Sequence, residues 1–159
     1  MASIEERVAA LEARVFAEAA GSDQPAPVFW ALDRLRELAP SPGAVLFTGA
    51  VDLPAGEHYE WQLGTPVERL LDEDWSDLGA TLAALGHPMR LRLLREILGG
   101  RHATTELADV EGLGTSGQLY HHLRQLTAAG WLRTGARGQY SVPPERVVPL
   151  LVILAAARR

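Results

Sequence analysis

The stretch from Gly114 to Trp131, GTSGQLYHHLRQLTAAGW, leaves the chain little choice of local structure. Thr115 followed three residues later by Gln118 has the spacing of a capping box, in which each side chain satisfies a backbone N–H that the first turn of a helix leaves without a partner. Gly130 suits the left-handed conformation that stops a helix. Between these signals Leu119, Leu123 and Leu126 fall in one narrow sector at about 100° per residue, so the helix predicted at 115–128 must bury that sector. The opposite face holds Gly117, His121, Arg124, Gln125 and Ala128, with Gln118 and Tyr120 on its flanks. It is polar, has no acid and carries one fixed positive charge. Solvated helix faces usually mix charge signs, whereas Arg and Gln match the base edges and phosphates of a DNA major groove. The adjacent histidines do not make a metal pair, because consecutive helix residues point in different directions. His122 borders the leucines and is expected to pack at the core edge, leaving His121 to reach DNA.

The flanking segments give this helix a setting. Pro88 can open a helix over PMRLRLLREIL, with Leu91, Leu94, Ile97 and Leu98 as its apolar stripe, and GGRHA ends it. A short helix, TTELADV, and the turn EGLG precede the 115–128 helix. After it, WLRTGARGQYSV reads as two brief β runs around the glycine-bounded turn GARG. Short helix, turn, longer helix with a polar face, then a two-stranded basic turn is the order of a winged helix-turn-helix. Charge agrees with that order. The chain is -5 overall, yet residues 85–140 carry seven arginines against four acids, so this stretch is +3 and the remainder -8. A basic segment on an acidic body fits a surface for a polyanion.

The segments ALGHPMRLRLLREIL, TTELAD, TSGQLYHHLRQLTAAGWL and RGQYSV resemble the arsenic-repressor (ArsR-type) winged-helix transcriptional regulators, over roughly residues 80–145, about half the chain. The resemblance implies a homodimer that recognises an inverted repeat in double-stranded DNA, with 115–128 in the major groove and a wing around Arg137 reaching the backbone or minor groove. Carried onto this sequence, the matching positions are Thr115, Ser116, Gln118, Tyr120, His121 and Arg124. By general recognition chemistry, Gln118 and Arg124 suit base or phosphate contacts, and Thr115 and Ser116 suit phosphates at the helix N-terminus.

The sequence also departs from that family. Many members sense metals through cysteines beside the helix pair or through Asp and His on the last helix. This chain has no cysteine, TTELADVEGL offers no substitute, and PLLVILAAARR has neither Asp nor His. The isolated His58, His87 and His102 have no metal-ligand spacing, so no metal or cofactor is expected. Residues 1–75 lie outside the resemblance. Ile4, Val8, Leu11 and Val15 form a short heptad stripe in a helix over 1–20, and VFWALDRLREL reads as a second helix. AVLFTGAVDL and HYEWQL read as strands joined at PAGE. TPVERLLDEDW reads as a connector with a capping Thr65 and Pro66 at its first helical position. Three uses of the 21–75 region stand open: a small α/β core, an effector pocket lined by Trp30, Tyr59 and Trp61 for a small apolar or aromatic molecule, and dimerisation.

The expected organisation is mainly α with small β: a helix at 1–20, an α/β region at 21–75, a winged helix-turn-helix at 76–145, and an apolar helix at 146–159 that begins near Pro149 and supplies dimer surface through Leu150, Leu151, Ile153 and Leu154. Enzymatic activity is not expected. Glu57 with His58, or the acids of DEDWSD, could be imagined as an acid and base, but no nucleophile motif or phosphate loop accompanies them. The acidic N-terminus and the lack of a long apolar run point to a cytoplasmic protein. The function expected is that of a DNA-binding transcriptional regulator, a repressor by the resemblance. A winged helix that binds protein instead of DNA is the alternative that the overall acidity keeps open.

Overall fold

A computed structural model of the chain describes residues 29–112 and 114–158, without the side chain of Arg137. The expected 1–20 helix and its heptad stripe lie outside the described residues. The chain divides into two compact units, residues 1–43 and 44–159. The described part of the first unit contains α1 (Trp30–Leu38), whose Trp30, Leu32 and Leu38 are exposed, as is Phe29 just before it.

The second unit opens with a hairpin of β1 (Ala44–Asp52) and β2 (His58–Pro66) in unbroken antiparallel register from Ala44 opposite Pro66 to Asp52 opposite His58. There follow α2 (Val67–Asp72), a 3-10 turn (Trp75–Leu78), α3 (Gly79–Leu85), α4 (Pro88–Leu98), α5 (Thr104–Ala108) and α6 (Ser116–Ala128). The two-stranded wing is β3 (Arg133–Thr134) with β4 (Tyr140–Ser141), and α7 (Pro144–Ala156) closes the unit. The order is that of a winged helix-turn-helix, mainly helical with two small hairpins, as expected. Because α7 packs on both strands of the first hairpin, the compact unit begins at Ala44, and the expected division at 75/76 falls inside it.

One core holds the unit together. Ala84 and Leu85 of α3, Leu93, Leu94 and Ile97 of α4, Leu107 of α5, the three leucines of α6, Trp131, Leu132, Val142, and Val147 and Leu150 of α7 are all buried in it. A thirteen-residue helix is marginal alone. Burial of Leu119, Leu123 and Leu126 at about 1.5–3 kcal/mol each therefore decides that α6 forms where it does. Trp131 fixes the far end of α6. Its ring is buried, its Nε1 donates to the Thr81 carbonyl at 2.8 Å, and the Arg146 guanidinium lies 5.1 Å over its face.

Three local expectations need correction. The last helix does not begin near Pro149 but at Pro144, and Pro149 lies inside it. An internal proline costs about 3 kcal/mol, but burying Val147 and Leu150 in the core and Val148 against the hairpin returns more than that. Pro66 ends β2 and caps α2 instead of occupying its first turn, because the strand pairing runs on through Thr65 and Pro66. On α4 the deeply buried residues are Leu93, Leu94 and Ile97, with Leu91 and Leu98 only partly covered, since α4 is enclosed from more than one side.

Candidate nucleic-acid interface

The N-terminus of α6 is built as its sequence indicates. Gln118 N–H donates to Thr115 Oγ1 at 3.4 Å, and Thr115 N–H donates to Gln118 Oε1 at 2.9 Å. Gly114 makes room for this bond: its φ is +79°, and a Cβ there would collide with Gln118 Oε1. At the other end Gly130, at φ +75°, donates to the Thr127 carbonyl, and Trp131 N–H turns back to the Leu126 carbonyl. The helix is thus bounded at both ends by its own sequence.

With Leu119, Leu123 and Leu126 buried, Thr115, Ser116, Gly117, Gln118, Tyr120, His121, Arg124, Gln125 and Ala128 are all exposed, and no acid stands among them. Six of the seven expected DNA-contacting residues, Thr115, Ser116, Gln118, Tyr120, His121 and Arg124, therefore share one open surface. The seventh, Arg137, lies on the wing at the 3-10 turn Ala136–Gly138. The wing is braced from behind: Tyr140 N–H donates to the His102 carbonyl, His102 Nδ1 donates to the Tyr140 carbonyl at 3.0 Å, and Ala103 bridges Gln139. His102 and Ala103 N–H groups both donate to Glu106 Oε2, which fixes the start of α5.

The arginines of the basic segment divide into two kinds. Arg90 is structural, its guanidinium donating to the Ala83 and Ala84 carbonyls at the end of α3. Arg101 pairs with Glu96 at 2.9 Å, and Arg133 donates to Ser141 Oγ. Among the described residues Arg92, Arg95 and Arg124 enter no ion pair and are exposed. Arg92 lies over Gly112 in the turn before α6, where a Cβ would come within 2.9 Å of its Nη1. It is a cation beside the turn leading into α6 that local pattern could not identify, because the contact joins α4 to a turn far along the chain.

The expected effector residues are divided between the two compact units. Trp30 belongs to the first compact unit. Tyr59 lines a small cavity of about 40 Å³ with Glu57, Ile97, His102, Arg133 and Ser141 among its neighbours. Trp61 borders an open depression on the hairpin with Thr48, Ala50, Glu60 and Gln62. His58, considered beside Glu57 as an acid–base pair, instead contacts Asp52 at 2.6 Å and Glu60 at 3.2 Å. The hydrogen bond to Asp52, then that to Glu60, hold its imidazole above the usual pKa. Among the described residues no group of three or more His, Asp or Glu side chains has metal-site geometry, and no helix is long and apolar enough to cross a membrane.

Fold and surface together define a winged helix-turn-helix, the architecture whose second helix enters a DNA groove. Residues 85–134, from the end of α3 to the first wing strand, match the family model described as a helix-turn-helix domain. No curated protein and no solved structure matches the chain.

Proposed function

We propose that the protein is a sequence-specific DNA-binding transcriptional regulator of the ArsR-like kind, acting as a homodimeric repressor on an inverted repeat. The single observation that carries this reading is the acid-free outer face of α6, exposed along its length and bearing Arg124, on a helix bounded by its own caps. The unpaired Arg92 and Arg95 on α4 support it, because cations near a groove reader offset phosphate charge. Dimerisation is supported by apolar surface that the described residues leave open. Val45, Trp61 and Leu63 lie on the α7-facing side of the hairpin yet remain exposed, and Leu151, Ile153 and Leu154 of α7 are only partly covered. A small apolar or aromatic effector belongs to the same proposal.

The test is retention of fragments of the source genome at low salt, followed by affinity across a salt series. Binding should fall steeply with salt. Arg124→Ala should lower the salt slope by about one unit if the guanidinium meets a phosphate, or cost about 1–3 kcal/mol at one base position if it reads a base. A dimer predicts half-sites about one helical turn apart. No retention at any salt would refute the regulator reading and favour a winged helix that binds protein.

A further inference from the structure

Three of the chain's five histidines meet where the recognition helix packs beside the start of α4. The His122 ring lies on that of His87, with 4.6 Å between centroids and the planes tilted by 42°, and His121 meets His122 edge-on at 5.5 Å. His87 caps α4: its Nδ1 accepts the Met89 N–H at 3.2 Å. A ring nitrogen accepts a hydrogen bond only while it carries no proton. His122 Nδ1 is buried and has no hydrogen-bond partner. The fixed charge acting on this group is Arg90 of α4, tied to the Ala83 and Ala84 carbonyls and so unable to swing away. Among the described residues the titratable group of α6 that acts on His122 is His121; α3, the third element packed here, carries no titratable side chain, and no carboxylate of the described residues is among the charges that act on His122.

We propose that His87, His121 and His122 form a proton-sensitive joint, which fastens the recognition helix to α4 while the imidazoles are neutral and loosens it when the cluster takes up a proton. A proton on His87 Nδ1 abolishes the cap of α4. A proton on His122 places a cation against Arg90 and two further imidazoles, with no acid among the described residues to offset it. Burial first, then His87, His121 and Arg90, hold the His122 imidazole below its usual pKa, which agrees with the geometry. The sign follows by linkage. The folded state takes up the proton less readily than the unfolded chain, so stability is complete above an unfolded pKa of about 6.5 and falls as the pH drops below it. The consequence for DNA rests on the proposed function: acid should weaken duplex binding by disturbing α6, against the usual trend in which added positive charge strengthens it.

The test needs no DNA. The imidazoles of the full chain are titrated by NMR from pH 8.5 to 5, and thermal melts are taken at pH 7.5 and 5.5 for the wild type, His122→Phe and His87→Asn. His122 should titrate below about 6.5. The drop in Tm on acidification should shrink in His122→Phe, which keeps an aromatic ring in the packing and removes the proton site. His87→Asn keeps a capping oxygen, removes one neighbouring imidazole, and should move the His122 midpoint upward. A His122 midpoint at or above about 6.5 overturns the proposal. So does an acid-induced drop in Tm that His122→Phe leaves unchanged; if that variant does not fold, an unmoved His122 midpoint in His87→Asn overturns it instead. Loss of the regulator reading through absent DNA binding would leave these results untouched.

Discussion

Gly49→Ala tests whether the first hairpin is truly part of the winged-helix unit. Gly49 stands on β1 opposite Trp61, on the face that meets α7. A Cβ there would lie 2.7 Å from Val148 Cγ1 and 3.4 Å from Cγ2. The backbone imposes no objection, since φ at this position is not in the left-handed region. On chain entropy alone Gly→Ala would therefore stabilise by about 0.4–1 kcal/mol. The clash decides the sign. Val148 is almost fully buried, and a β-branched side chain within a helix has one strongly preferred rotamer, so its methyls cannot turn aside. Overpacking of this kind costs about 1–3 kcal/mol, giving a net loss that translates to about 4 °C of Tm per kcal/mol in a unit of this size. Val148→Ala removes the obstructing methyls and should by itself cost about 1.5–3 kcal/mol. The double variant should then lose clearly less than the sum of the two, a coupling that thermal or urea melts of all four proteins would measure. A Gly49→Ala protein as stable as the wild type, or strictly additive effects, would mean that hairpin and α7 do not meet this closely.

Gly114→Ala should destabilise the unit by about 1–3 kcal/mol, because the residue must hold a φ of +79° and its Cβ would displace Gln118 Oε1 from the cap; amide exchange in the first turn of α6 should accelerate, and an unchanged rate would refute the capping argument. His58 should titrate above its ordinary value in an NMR series, and Asp52→Asn should bring it back toward that value. Its folded pKa is raised, so whatever stability the Asp52 contact supplies is complete below about pH 6.5 and fades as the pH rises through the folded value, opposite in sign to the effect at His122.

What could be read from the sequence was whatever depends on near neighbours. The Thr115–Gln118 box, the Gly130 stop, the three-leucine sector, Pro88 at the start of α4 and the PAGE turn all act within a few residues, and each stands where its pattern puts it. The differences arise where distant burial outweighs a local preference. Pro149 argues locally for a helix start, yet the surface covered by Val147, Val148 and Leu150 is large enough to carry a helix through it. Counting charge treats Arg90 and Arg124 alike, although one is spent on the carbonyls of α3 and the other stands open. The bond from Trp131 to Thr81 spans fifty residues, and nothing beside either residue signals it. The packing of His87 on His122 is invisible for the same reason, since each histidine has a sufficient local explanation, one as a cap and the other as the edge of a leucine stripe.

The same cap that positions α6 limits how it can read DNA on the proposed function. A glutamine recognises adenine by using its carbonyl oxygen and its amide nitrogen together, as acceptor and donor. Gln118 Oε1 is already bound to Thr115 N–H, so with the cap intact its nitrogen can donate freely to a guanine, a thymine O4 or a phosphate, while the oxygen keeps one lone pair and is held in the direction of the cap, which restricts the paired contact with adenine. Releasing the oxygen would cost about 1 kcal/mol of helix capping, a large part of what one bidentate base contact supplies. Gln118 is therefore better placed to hold the N-terminus of α6 against the phosphates than to select a base. On the proposed function that work would pass to Arg124, which is exposed in the middle of the helix and enters no ion pair among the described residues.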